Sequence, residues 1–449
     1  MNSPLLWLVA VGFFMETLDA TIVNTALPTM ARDLGASPLV MQSVVIGYAL
    51  SLAVFIPASG WLTDRFGTRK VYLAAITIFT GSSILCAMAP TLPLLVAARV
   101  LQGLGGSLLL PVGRLTVLRN FPGEAYLPAL SFVAMPALIG PLLGPTLGGW
   151  IVQFFTWHWI FLMNLPIGIF GFIASLKILP TDDPDPQTKK FDFLGFLQLS
   201  TFMVSISVAL DSLSGNLLSK GIVLFLFIFG LAALAAYGIR ALKQTRPLIS
   251  PELFGVRTYS IGVLGNLFAR IGSTCISFLL PMFFQLGLGY TPLQSGMAML
   301  PLAIAAILSK QLIPHLVKKV GYRNFLITNT ILVGLGVASF ALLSAVENPV
   351  IQGIHLFIFG GINSMQFTVM NTLTMKDLDR RLSSQGNTLF SMVQMLAMSL
   401  SVAAAGTLLA TFMESHEKIR AFHLTFLCMG ASTITSTWLF AQLSPRKSS

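Results

Sequence analysis

Leu62-Thr63-Asp64-Arg65-Phe66-Gly67-Thr68-Arg69 returns, altered but legible, as Leu316-Val317-Lys318-Lys319-Val320-Gly321-Tyr322-Arg323. Gly67 matches Gly321 and Arg69 matches Arg323, about 254 residues apart. Leu27-Pro28 pairs with Leu280-Pro281, and Ser37-Pro38-Leu39 with Thr291-Pro292-Leu293, at nearly the same offset. A single Gly-x-Arg turn recurs between helices by chance; three landmarks in register make an internal repeat.

The intervening chain is strongly apolar. The 449 residues are 55% hydrophobic and 10% charged, with a mean hydropathy of +0.82, whereas an average soluble domain is about 25% charged. This composition excludes a soluble enzyme and predicts an all-α polytopic membrane protein. A bilayer core of about 30 Å takes about 20 apolar residues. Fourteen segments meet that length, at approximately 5–28, 39–61, 71–90, 93–114, 125–151, 158–179, 193–211, 219–239, 258–285, 292–313, 324–345, 350–372, 387–411 and 421–441. An offset of about eight spans, at about 32 residues each, predicts two six-helix halves with two extra helices between them, 6+2+6. The expected division is residues 1–180, then linkers and the extra pair in 181–257, then 258–449. Two repeated halves with substrate bound between them near the midplane is the architecture of alternating-access transporters.

The net charge of +11 does not point to nucleic acid, because the cations sit in short clusters between apolar runs. About twenty of them, from Arg65, Arg69 and Lys70 to Arg446 and Lys447, fall on the side of the C-terminus, against roughly four opposite, which predicts cytoplasmic termini. Met1 to Trp7 lacks a basic region and the first apolar run lacks a small-residue cleavage site, so this run reads as a retained helix. Cys86, Cys275 and Cys428 lie apart in apolar runs and define neither a disulfide framework nor a metal site. The polar stretches Pro180 to Pro186 and Leu242 to Gly255 read as linkers flanking the extra pair, which is expected to sit outside the transport path.

Ionisable groups inside such spans are expensive and mark function. Glu16 and Asp19 are three residues apart and share a helix face within the first span. A buried carboxylate persists where it lines a cavity and exchanges protons. Counted from the outer helix ends, Asp19 lies about 11 residues deep and Arg99 about seven, a gap of about 6 Å that makes Arg99 its candidate counter-charge. In the second half Arg270 occupies the repeat position of Glu16. It is expected to face the central cavity with at least one of Asn363, Gln366 and Asn371; His355, near the position equivalent to Arg99, reads as a packing residue. Gly140-Pro141-Leu-Leu-Gly144-Pro145-Thr-Leu-Gly148-Gly149 combines two prolines with close-packing glycines, a helix built to bend or slide.

Five stretches carry a resemblance to a known family. They are Leu18-Asp19-Ala20-Thr21-Ile22-Val23-Asn24-Thr25-Ala26-Leu27-Pro28, Gly60-Trp-Leu-Thr-Asp64-Arg65-Phe-Gly67-Thr-Arg69-Lys70, Arg99-Val-Leu-Gln102-Gly103-Leu-Gly105-Gly106, the Gly140 to Gly149 run, and Trp157-His158-Trp159-Ile160-Phe161-Leu-Met-Asn164-Leu-Pro166-Ile-Gly168. Together they resemble the major facilitator superfamily, in its fourteen-helix drug:proton antiporter branch. The resemblance implies proton coupling through Asp19, with Arg99 in proton transfer; Glu16 rests on the physical argument alone. It implies a cytoplasmic gate at Gly60, Asp64, Arg65, Gly67 and Arg69, degenerate in the second copy where Lys318 replaces Asp64. Gly140, Pro141, Gly144, Pro145, Gly148 and Gly149 would form the antiporter helix that seals against leak.

The implied activity is proton-driven export of small amphipathic molecules across the cell inner (cytoplasmic) membrane, with the lipid bilayer and the substrate as partners and no obligate protein partner. No cofactor or metal is expected, the energy coming from the proton gradient: the sequence has no G-x-x-x-x-G-K-[ST], H-E-x-x-H or G-x-S-x-G, so neither ATP-driven nor hydrolytic chemistry is expected. Two alternatives stay open, a transporter of one specific metabolite on the same fold and a transporter-like membrane receptor.

Overall fold

The computed structural model describes residues 3–121, 126–181, 191–215, 218–244, 247–345 and 348–443, and all regular structure among them is helical. Of the basic residues used above to orient the chain, Lys189, Lys190, Arg246, Arg446 and Lys447 lie outside these residues, as does most of the stretch from Pro180 to Pro186.

The chain forms two compact units, Met1–Phe196 with Thr291–Gly296, and Leu197–Tyr290 with Met297–Ser449. In the first, α1 (Pro4–Asp33), α2 (Gln42–Phe55), α3 (Ala58–Phe66), α4 (Thr68–Ala87), α5 (Leu92–Asn120), α6 (Tyr126–Phe154), α7 (Trp159–Leu162) and α8 (Asn164–Ile178) follow in order. Next come α9 (Phe193–Gly215) and α10 (Lys220–Lys243), at the positions where the sequence predicts an extra pair. Then come α11 (Arg257–Ser273), α12 (Ile276–Met282), α13 (Pro292–Ala298), α14 (Leu300–Leu308), α15 (Ile313–Ser339), α16 (Pro349–Lys376), α17 (Arg380–Ser415), α18 (Lys418–Thr435) and α19 (Thr437–Ala441).

Eleven helices among the described residues are long and apolar enough to cross a membrane, or twelve if the bent pair α2 and α3 is one span, against the fourteen expected. The expected spans at 125–151 and 350–372 are the two not counted. Each nevertheless folds as a helix, α6 and α16. Part of the α6 side chains lie outside the described residues. In α16 the side chains of Gln352, His355, Asn363 and Gln366 dilute the apolar run. Between α2 and α3 the axis bends by 57° at Pro57, whose ring removes one helix hydrogen bond and crowds the preceding turn.

Burial separates central helices from peripheral ones. The most apolar windows of α1 and of Arg257–Gly287 are both 67% buried, while that of α10, with a hydropathy of 2.6, is 17% buried. A helix apolar all round with so little protein cover presents its side chains to lipid.

The repeat seen in sequence has a counterpart in the backbone. Gly67 separates α3 from α4 at φ 88°, ψ 151°, and Gly321 interrupts α15 at φ 79°, ψ 161°. Side chains rarely adopt such positive φ, so both turns depend on glycine. Beyond each turn an arginine reaches the last helix of its own unit: Arg69 Nη2 donates to the Leu176 carbonyl at 2.5 Å, and Arg323 Nε to the Ala441 carbonyl at 3.3 Å. Gly321→Ala is expected to cost about 1 kcal/mol or more, read as a lower unfolding temperature in detergent; unchanged stability would show that the turn can relax to negative φ.

Candidate functional site

Helices α1, α4, α5 and α8 each bring buried polar side chains to one point. Arg99 and Gln102, three residues apart on α5, share a face directed at Asp19 of α1. Arg99 Nη1 donates to Asp19 Oδ2 at 2.5 Å and to Gln102 Oε1 at 2.7 Å. Gln102 Nε2 donates to Asp19 Oδ1 at 2.9 Å, and Asn164 Nδ2, from the start of α8, donates to the same oxygen at 2.8 Å. Ser83 Oγ of α4 accepts from Gln102 at 2.9 Å and from Asn164 at 3.3 Å. Asp19 and Arg99 are each 1% exposed. A buried ion pair holds only when its remaining lone pairs and protons are also satisfied, and here two amides and a serine complete it.

Tyr48 of α2 touches both Arg99 and Glu16. Its ring lies under the Arg99 guanidinium, 4.1 Å from centroid to Cζ, and its hydroxyl donates to Glu16 Oε1 at 3.3 Å. Among the described residues this is the hydrogen bond Glu16 makes, although its side chain is buried. The two carboxyls therefore differ in kind: Asp19 is held by a cation and two amides, Glu16 by a neutral hydroxyl.

Packing positions the charge cluster. A side-chain carbon on Gly140 would run into Thr17 and the Leu18 amide, on Gly144 into Thr21 and the Ile22 amide, and on Gly148 into the Ile22 carbonyl. Glycines every fourth residue thus seat α6 against the segment of α1 that carries Asp19. Gly149 meets Pro292 in the Thr291–Gly296 segment that clusters with the first unit. Helix α6 runs through Pro136, Pro141 and Pro145 without a break in its assignment.

At the turn, Asp64 and Arg119 of α5 form an exposed ion pair at 3.4 Å. Arg65 is exposed, and a side chain at Gly60 would meet nothing within 4 Å, so packing does not require a glycine there. Exposed pairs contribute about 0–1 kcal/mol. Asp64→Asn is therefore expected to change stability by no more than that range, read as the unfolding temperature in detergent; a large drop would make the pair structural.

In the second unit the structure separates the grouped amides. The Arg270 guanidinium donates to Asn266 Oδ1 and lies 4.0 Å from the Phe367 ring centroid. Asn371 joins this cluster, its Oδ1 accepting from Asn266 at 3.3 Å and from Gln394 at 3.0 Å. Gln366 instead ties α16 to α15, accepting from Asn329 at 2.9 Å and donating to Thr330 at 2.5 Å. Asn363 Oδ1 is buried without a hydrogen-bond partner among the described residues. His355 stacks on Phe340 and bonds Ser339 at 2.6 Å, a packing arrangement. No group of three or more His, Cys, Asp or Glu able to hold a metal occurs among the described residues.

Gln102, Asn164, Ser83 and Tyr48 did not emerge as site residues from sequence. Gln102 could have, since it lies one helical turn from Arg99. Gln102→Leu and Asn164→Leu each remove a hydrogen bond to an ionised group and are each expected to cost about 1.5–3 kcal/mol, measured by unfolding in detergent; a cost near zero would mean that the cluster re-pairs without them.

The profile of the Major Facilitator Superfamily matches residues 9–402. The chain belongs to the major facilitator superfamily. Within this superfamily it is 45% identical over 446 residues to "Putative multidrug resistance protein MdtD" of Serratia proteamaculans (strain 568), covering 98% of this chain and 93% of that protein. The protein of the same name from Yersinia enterocolitica is 44% identical over 432 residues, covering 94% and 91%. Among solved structures, a peptide transporter POT superposes with a TM-score of 0.73 at 16% identity, covering 97% of this chain and 93% of that one. A D-xylose-proton symporter gives 0.70 at 14%, covering 98% of each chain. The superfamily fold is thus common to chains of low sequence identity, while the sequence relatives lie in its multidrug resistance group.

Proposed function

We propose that this protein exports small amphipathic compounds across the cytoplasmic membrane in exchange for protons, by alternating access between its two halves. The observation that carries this reading is the buried Asp19–Arg99 pair, an ion pair inside a membrane bundle on the helix that also carries Glu16. Such groups persist in membrane interiors where protons or substrates are handled. The multidrug resistance proteins that are 43–45% identical to this chain favour drug export over the metabolite-transporter and receptor alternatives.

In this reading Asp19 and Arg99 form the conformationally sensitive pair, and Glu16, with a neutral partner, can take up or release a proton without breaking an ion pair. Arg270 and Asn371, with Asn363, contribute to the substrate path, Gln366 bracing α16 behind them. The Asp64–Arg119 pair and the Gly67 turn close the cytoplasmic side, and the glycine face of α6 seals the contact with α1. That each of the fourteen expected positions is helical supports a six, two and six arrangement of spans, and the excess of cations on the side of the C-terminus supports cytoplasmic termini.

The test is proton flux in proteoliposomes under an imposed pH gradient, with a panel of cationic and neutral compounds. Native protein is expected to dissipate the gradient when a substrate is added, and Asp19→Asn to show no substrate-dependent flux. A folded, inserted protein that moves no protons with any compound would sink the multidrug reading and favour a narrow metabolite.

A further inference from the structure

The repeat turn of the second unit borders a cavity of about 770 Å³. Arg257, Lys310, Lys318, Arg323 and Lys376 line it, and no aspartate or glutamate does so among the described residues. The matching turn of the first unit is different. There Asp64 pairs with Arg119 at the end of α5; here Lys318 stands at the repeat position of Asp64, and Lys376 ends α16 as Arg119 ends α5. The glycine geometry and the arginine strap occur in both copies, while a lysine stands at the acidic position of the first, so the charged side chains lining the second turn's cavity are basic.

Basic side chains gathered around one concavity favour an anion there. Two of them have capacity to spare. Arg257 Nη2 donates to the Gln442 carbonyl at 2.7 Å and Arg323 Nε to that of Ala441, and a guanidinium carries five N–H donors. Lys376 Nζ sits 5.1 Å from the Tyr322 ring centroid.

Two further observations indicate the kind of anion. Most of the cations lie at or next to helix ends or breaks: Arg257 begins α11, Lys318 and Arg323 flank Gly321, and Lys376 ends α16. Ends of membrane-crossing helices lie at the headgroup level. Leu308, Leu312 and Leu316, at the end of α14, after the following 3-10 turn and in the first turn of α15, alternate in the chain with the lining residues Lys310, Ile313 and Val317 and are 52%, 56% and 36% exposed, an apolar strip next to the basic pocket in the chain. A soluble anion has no use for such a strip, whereas acyl chains do.

We propose that this cavity binds the phosphate headgroup of an anionic phospholipid, with its acyl chains along the Leu308, Leu312 and Leu316 strip. The shared chemistry with free phosphate is a phosphate oxygen among lysines and arginines. The strip assigns the site to the lipid.

Native mass spectrometry of the full chain, from mixed micelles of phosphatidylglycerol, phosphatidylcholine and neutral detergent, tests this. The native protein is expected to retain phosphatidylglycerol in preference to phosphatidylcholine, and Lys310→Gln with Lys376→Gln to weaken that retention about tenfold or more. Lys310→Arg with Lys376→Arg should keep it, as should Lys220→Gln with Lys418→Gln, which removes the same charge elsewhere. Unfolding temperature in phosphatidylcholine micelles checks that the variants fold. Equal retention by the Lys310/Lys376 glutamine variant, or equal loss in the Lys220/Lys418 control, overturns the proposal. Displacement of the lipid by millimolar inorganic phosphate would give the pocket to a soluble anion and overturn the lipid assignment.

Discussion

Arg99→Met is expected to destabilise the protein by about 3–5 kcal/mol, because it leaves the Asp19 carboxylate buried with its cation removed. Gln102 and Asn164 still donate to Asp19 Oδ1, but two amide dipoles do not replace a full positive charge in a low-dielectric interior. Adding Asp19→Asn to this variant is expected to restore most of the stability, since a neutral amide can still accept from Gln102 and Asn164 and leaves no buried charge. Export remains absent in both variants. Reversible unfolding in micelles and substrate-driven proton flux separate the two effects. If the double variant is no more stable than Arg99→Met alone, Arg99 contributes by packing on Tyr48 and not by its charge.

Gly144→Leu is expected to abolish export while leaving every charged residue in place. The added side chain cannot fit between α6 and α1, where even a single carbon meets Thr21 and the Ile22 backbone amide. Overpacking of a tight contact costs about 1–3 kcal/mol through backbone shifts, and the segment that must shift is the one presenting Asp19. Gly144→Ala should show the same defect in milder form. Crosslinking between cysteines placed on α1 and α6 would register the displacement. Full activity of Gly144→Leu would mean that these helices are free to part, and the sealing role of the glycine face would fall.

The large features of this fold are legible because hydrophobic length and special backbone geometry leave direct traces in a sequence. Gly67 and Gly321 could be paired by eye, and the structure gives both a positive φ. Asp19 and Arg99 stood out because ionised groups are rare in apolar helices, and their depth along two helices placed them within reach. Ser83 and Tyr48 left no comparable trace, and Gln102 and Asn164 appeared only as members of quoted motifs, without a role, although Gln102 lies one helical turn from Arg99. Neutral polar residues are tolerated at many places in a membrane bundle, and only the rotation and packing of α2, α4, α5 and α8 bring these four together. Helix α16 shows the same limit from the other side. Gln366 and Asn371 are five residues apart, about 140° around the helix, so one serves α15 and the other the Arg270 cluster. Their sequence positions alone do not say which neighbour each meets.

The straps from Arg69 to Leu176 and from Arg323 to Ala441 carry a historical implication. Each fastens a tight glycine turn of a half to the closing helix of that same half and makes no reference to the other. A clasp of this kind is what an ancestral unit would have needed while it still folded by itself, before duplication joined two copies into one chain. Within this one chain the two clasps share their backbone geometry and differ in charge: Lys318 stands at the position of Asp64, while Gly321 and Arg323 repeat the geometry of Gly67 and Arg69. Shape is common to the two copies where electrostatics is not.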